Sequence, residues 1–263
     1  MRRHLLAMSS LFAAASIFSL STSWAATYNV TIDGSDAIFL AGRTDLVIPD
    51  ASLPWDTGTH LIRHPGPTPE EIKETLPPGF AVAAGDVVRV LDPAVGGISF
   101  FNGLGAPLFG PAGNGASGSV LTSLDGISGY IGPQGALSGV FLNDSIPNGA
   151  SAPPTLDFTP GGLGTGQASL SPLLGQIFYI GNGLTTGGSF KEFIAPVGAT
   201  RLFLGIPDGF GFNGPPGAYD DNDGAYQISI GINQVPSVPE PETYAMFGLG
   251  LLLVAGLARR RKV

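Results

Sequence analysis

The chain has 263 residues, 40 of them Gly, 23 Pro and none Cys, so it can build one large core but no disulfide framework. Charged residues make up only 12% and the net charge is −8. The end segments hold six of the 12 Lys+Arg and two of the 20 acidic residues, so the middle carries 6 basic against 18 acidic residues, a charge of −12 that excludes nucleic-acid binding and tolerates divalent cations.

The chain starts with a basic head, Arg2 and Arg3, and an apolar run from Leu5 to about Leu20. Small residues follow at Ser23 and Ala25, as an A-x-A-like cleavage site requires. Residues 1–25 are therefore expected to be a signal peptide removed by signal peptidase, and the mature chain to be exported. Residues 26–236 are expected to form one domain.

Within that domain "GPTPEEIKETLPPG" is the single helical pattern. Thr68 serves as N-cap, Pro69 occupies the first turn, Glu71 closes a capping box, and Pro77 and Pro78 stop the helix at about Leu76. Glu70 and Glu71 read as charges at that helix start rather than a catalytic pair. His60 and His64 stand four apart, but Pro65, Gly66 and Pro67 follow at once, which favours a loop over a zinc-chelating helix.

Strand candidates then follow in order. "AGDVVRVLD" alternates around Val88 and Val90, and Val140 to Leu142 and Leu156 to Phe158 are short apolar segments. "GQIFYIGNG" is an almost continuous apolar run suited to a buried strand. "ATRLFLGIPDG" puts Leu202, Leu204 and Ile206 on one face with Arg201 and Phe203 opposite. "GAYQISIGI" puts Tyr226, Ile228, Ile230 and Ile232 on one face and Gln227 and Ser229 on the other. The pattern predicts an all-β fold, an antiparallel β-sandwich of the jelly-roll type with one short helix. The Gly/Pro-rich stretches 101–118 and 147–166 read as long surface loops.

Catalytic signatures are sparse, and no enzymatic activity is expected. Gly209, Gly211 and Gly214 match G-x-G-x-x-G but no helix follows, so a nucleotide loop fails its own structural test. The chemistry gathers in "GIPDGFGFNGPPGAYDDNDGAY". Asn222, Asp223 and Gly224 alone make a good hairpin turn. Asp208, Asp220 and Asp221 exceed what a turn needs, and calcium accepts 6 to 8 oxygen ligands of this kind. A solvated turn and a calcium site are both open readings of these residues.

Residues 173–234 resemble the C-terminal half of the small calcium-dependent, galactose-binding bacterial lectins of the PA-I type. The shared order is Ile180-Gly181-Asn182, then Phe193-Ile194-Ala195-Pro196, then a strand into Asp208. Pro216-Gly217-x-Tyr219-x-x-Asn222-x-Gly224 and a final alternating strand complete it. The resemblance implies a galactose-binding-like sandwich. It also implies calcium held by the side chains of Asp208, Asp221 and Asn222, the carbonyl of Ala218, and a carbonyl near Phe100 or Phe101. In that family the same calcium receives two sugar hydroxyls. This chain departs from the pattern in three ways. Asp221 replaces an amide, residues 209–215 are inserted, and the loop with the lectins' histidine and glutamine sugar contacts has no counterpart.

The tail, residues 237–263, carries Pro239, Glu240 and Pro241, an apolar stretch over 244–258, and the basic cluster Arg259, Arg260, Arg261 and Lys262. Physically this is a short membrane helix with a cytoplasmic stop. It resembles the PEP-CTERM sorting signal of Gram-negative bacteria with exopolysaccharide systems. That resemblance implies recognition by an exosortase, transient anchoring in the inner membrane, and delivery to the cell surface or beyond. The expected function is that of a surface or biofilm-matrix protein that binds carbohydrate or exopolysaccharide through calcium. The alternatives are a structural protein in which calcium only braces the fold, and a secreted hydrolase.

Overall fold

The computed structural model describes residues 24–46, 74–101 and 108–236. Its strands are β1 (Ala26–Asp33), β2 (Gly79–Ala81), β3 (Val87–Ser99), β4 (Asn114–Leu121), β5 (Tyr130–Gln134) and β6 (Ser138–Leu142). They continue with β7 (Ser169–Leu170), β8 (Ile177–Tyr179), β9 (Glu192–Ile194), β10 (Arg201–Gly205), β11 (Asn213–Gly214) and β12 (Asp223–Ile232). Three short 3-10 turns, Ile38–Leu40, Phe210–Phe212 and Tyr219–Asp221, are the only helical elements among the described residues.

The fold is all-β. Strands order β1-β12-β3-β9-β7 in one sheet, β2-β10-β6-β8 in a second and β11-β4-β5 in a third. Pairing is antiparallel except for β11 with β4 and β7 with β9. The first two sheets pack face to face. Tyr28 of β1 meets Phe80 of β2 with ring centroids 5.0 Å apart, and Phe178 of β8 stacks on Phe193 of β9 at 4.8 Å. This is the layering of a sandwich, and it buries the inward residues of both sheets.

β12 forms because its alternation suits a half-buried surface. Tyr226, Ile228, Ile230 and Ile232 are all buried, while Gln227 is exposed and Ser229 half-buried. β12 is the spine of its sheet, paired to β1 without interruption and to β3 through a bulge near Ser229. Tyr226 sends its hydroxyl to the carbonyls of Gly135 (2.8 Å), Gly110 (3.0 Å) and Phe109 (3.2 Å), which ties the third sheet to the core. Burial drives its pKa far above that of an ordinary tyrosine.

β10 has the two expected faces, and Phe203, opposite Leu202 and Leu204, is buried as well. Its ring lies over Gly79 of the neighbouring strand β2, so closely that a Cβ there would lie 2.6 Å from it. Several expectations need correction. The helix expected to run to Leu76 does not reach that far, because none of Glu74 to Leu76 is helical. Thr75 instead forms a parallel bridge with Asp36, its amide donating to Ser35 and its carbonyl accepting from Ala37. The earlier part of that helix, with Thr68, Pro69, Glu70 and Glu71, lies outside the described residues, as do His60 and His64. The stretch Leu156 to Phe158 makes one isolated bridge, Asp157 to Ile131, rather than a strand. The stretch 101–118 is not loop throughout, because β4 begins at Asn114.

No described helix is long and apolar enough to cross a membrane. The apolar stretch 244–258 and the segment 1–23 lie outside the described residues.

Candidate metal centre

β10 leads from Gly205 through Ile206 into Asp208, and β12 starts at Asp223, so the end of one sheet and the start of the spine strand of the other enclose the candidate site. Ala37 makes a parallel bridge with Ile206, and Gly34 donates its amide to the Gly224 carbonyl at 3.0 Å. The turn after β1 thereby joins both elements.

Asp208 is 2% exposed. Its Oδ1 accepts from the Gly209 amide at 2.7 Å and its Oδ2 accepts from Asn222 Nδ2 at 2.9 Å. Its carbonyl accepts from the Gly217 amide at 3.1 Å, which closes residues 209–216 into a loop with Asp208 at its neck. Its own amide donates to the Tyr219 hydroxyl at 3.2 Å, and that hydroxyl donates to the Ile206 carbonyl at 2.7 Å. Burial, then the negative charges of Asp208 and Glu74, hold the Tyr219 phenol well above its usual pKa.

Asn222 is 4% exposed and its Nδ2 donates to both Asp208 and the Gly34 carbonyl, each at 2.9 Å. Two acceptors face that nitrogen, so the amide orientation is fixed by its neighbours. Its Oδ1 is buried without a hydrogen-bond partner. A buried amide oxygen left without a donor costs about 1–3 kcal/mol, and an oxygen-seeking cation would remove that cost.

Of the residues expected in the site, Asp208 and Asn222 therefore meet directly. Ala218 is buried in the left-handed region, φ 62 and ψ 32, at the head of the 3-10 turn Tyr219–Asp221. Such a conformation is unusual for a residue with a Cβ. Asp221 ends that turn and is half-buried. Phe101 lies two residues beyond Ser99, which pairs with Asp223, so the chain brings it to the same end of β3. Its ring is 48% exposed and meets those of Phe212 and Phe109 edge-on at 6.3 and 6.4 Å. The side chain of Asp220 lies outside the description.

The hairpin reading of Asn222, Asp223 and Gly224 does not survive. Asn222 is extended, Asp223 opens β12, and the partners of β12 are β1 and β3, distant in sequence. Gly224 is needed for a different reason. At φ +98 it passes so close to Gly97 that a Cβ would lie 2.3 Å from that carbonyl oxygen. Among the described residues no three His, Asp or Glu side chains gather as metal ligands. A cation here would rest on two carboxylates, one amide and backbone carbonyls, a set made entirely of the hard oxygen donors that calcium takes.

Two features near the site were not read from the sequence. Asp36 is buried, with Oδ1 accepting from Thr75 Oγ1 at 2.7 Å and Oδ2 from the Asp33 amide at 2.9 Å. Burial raises its pKa to about 6. Glu74 is also buried, on the segment that bridges to it. Only spatial pairing of segments some 40 residues apart brings these acids in, and local pattern carries no sign of it.

Residues 237–262 match the PEP-CTERM protein-sorting motif, which contains Pro239, Glu240, Pro241 and the arginines Arg259, Arg260 and Arg261. No curated protein and no solved structure matches the chain. The motif marks the chain for export and for processing by an exosortase.

Proposed function

We propose that this exported, sorted protein binds carbohydrate at the outer side of the cell through a calcium ion, and that it is a binding protein rather than an enzyme. The observation that carries the reading is the buried, partnerless Oδ1 of Asn222 beside the buried carboxylate of Asp208. Asp208, Asp221, Asn222 and the Ala218 carbonyl would hold the ion, with a carbonyl near Phe101 as a further donor. Calcium takes 6 to 8 oxygens, so such a set leaves positions for two hydroxyls of a sugar. The resemblance in residue order to the PA-I-type lectins is the ground for a carbohydrate ligand. The resemblance of the tail to the PEP-CTERM signal of bacteria with exopolysaccharide systems is the ground for an exopolysaccharide or biofilm setting. The test is glycan-array binding of the mature protein with calcium and with EDTA. Binding that vanishes on chelation supports the proposal, and binding undiminished by EDTA removes it.

A second reading has its own observation. Asn222 Nδ2 bridges Asp208 and the Gly34 carbonyl, so the same atoms join three segments of a chain without disulfides. Calcium would then brace the fold of a structural surface protein. Stabilisation by calcium with no glycan bound selects this reading.

A further inference from the structure

The register of β12 gives the domain two poles. At one, Ala26 stands opposite Ile232, the Asn233 amide donates to the Val87 carbonyl at 2.8 Å, and Arg89 Nη1 donates to the Gln234 carbonyl at 2.9 Å. Ile194 lies opposite Val87, so the turn carrying Val197 projects at this end too. At the other pole Asp33 stands opposite Ala225, Ser99 opposite Asp223, and Gly34 accepts from Asn222. Nine residue steps of β12 separate Ile232 from Asp223. At about 3.3 Å each, the poles are about 30 Å apart.

The sorting motif begins at residue 237, three residues after Gln234 is pinned by Arg89. From Gln234 to Tyr244, where the apolar stretch starts, ten residues reach at most about 35 Å. With the chain-end pole toward the bilayer, that tether needs no particular extension. Turning the Asp208 pole onto the bilayer requires it to run back along the whole domain almost fully stretched, which costs most of its conformational freedom. The chain-end pole also exposes Val197 (90%) and Val235 (73%), apolar side chains that a lipid headgroup boundary accepts better than water does.

We infer that the tethered protein stands on its chain-end pole, with Val197 and Val235 against the membrane, and presents the Asp208–Asn222 pole away from the membrane. The sorting triplet Pro239-Glu240-Pro241 follows Val235 closely in the sequence, so ligand binding and exosortase processing are not expected to compete for one surface. The orientation rests on strand register and the sorting motif. Only the nature of the ligand rests on the function proposed above.

The absence of cysteine makes the test direct. Val197→Cys, Val235→Cys and Phe210→Cys, the last in the loop that begins at Asp208 and 70% exposed, are each labelled with a bimane fluorophore. The full-length chain is reconstituted in phosphatidylcholine vesicles carrying a nitroxide at the lipid headgroup. The expected result is several-fold stronger quenching at 197 and 235 than at 210. Equal quenching at all three, or stronger quenching at 210, overturns the inference. A chain that does not float with the vesicles overturns it as well, because no tether then exists. None of these readouts depends on calcium, so a failure of the metal site leaves them intact.

Discussion

Asn222 Nδ2 donates to Asp208 Oδ2 across 2.9 Å, joining residues 14 positions apart, while the other amide atom of Asn222 is buried without a partner. The pair is thus half satisfied. It ties the loop neck to the base of β12 and leaves an oxygen in search of a positive charge. Asn222→Leu removes both parts, the tie and the orphan oxygen. It should lower the melting temperature without calcium, because the Gly34 carbonyl and the Asp208 carboxylate each lose a donor at a cost of about 1–3 kcal/mol, two losses against the one orphan oxygen relieved. Thermal denaturation in EDTA reads this loss. A Leu variant as stable as the wild type would mean the pair contributes nothing.

Gly224→Ala should destabilise by about 2–4 kcal/mol. It places a Cβ 2.3 Å from the Gly97 carbonyl at φ +98, in the strand that holds the sheet together. Urea unfolding of the two proteins gives the difference, and a change under 0.5 kcal/mol would refute the close approach.

Asp36 gives stability a defined pH dependence. Burial lifts its pKa from 3.8 to about 6, so the folded chain holds the proton more tightly than the unfolded one. Its contribution is complete below about pH 4 and is lost as pH rises through about 6. Asp36→Asn should flatten that part of the stability profile. Denaturant midpoints from pH 3.5 to 7 check it, and an unchanged slope in the variant would assign the effect to another group.

Lys191 works in the opposite sense. It is 2% exposed, its Nζ donates to the Ile180 carbonyl at 3.2 Å and lies 4.2 Å from the centre of the Tyr179 ring. Desolvation lowers its pKa from 10.5 to about 8. The unfolded chain then binds the proton more tightly, so the penalty acts in full below about pH 8 and fades as pH rises toward 10.5. Lys191→Met should raise stability at pH 7 and remove this rise. The Ile180 carbonyl keeps the Gly183 amide as a partner at 3.2 Å. A Met variant that is less stable at pH 7 would show that the cation–ring contact outweighs desolvation.

The fold class was legible where one physical cause acts alone. β12 alternates because one face is core and the other is not, and β8 is continuously apolar because all three of its residues are buried. The burial of Phe203 in β10 was not legible, because its ring packs over Gly79 of β2, more than a hundred residues earlier. The Asn-Asp-Gly triplet misled for a related reason. Its tolerance of positive φ is a local property, yet Gly224 is required by a strand, β3, more than a hundred residues earlier. In the candidate site the acidic loop was readable from residue type, and two of its expected residues, Asp208 and Asn222, share a hydrogen bond. The supporting carbonyl of Gly34 and the neighbouring acids Asp36 and Glu74 arrive by tertiary pairing, which no local pattern encodes.

The most direct test is a calorimetric calcium titration of the mature exported protein, with its melting temperature followed in parallel. The account predicts saturable binding and, at about a hundredfold excess over Kd, about 2.7 kcal/mol of added stability, a rise of several degrees. Asp221→Ala should abolish both signals, and Asp223→Ala, at the start of β12, should largely keep them. No heat of binding and a melting temperature indifferent to calcium, or equal losses in the two variants, would contradict it.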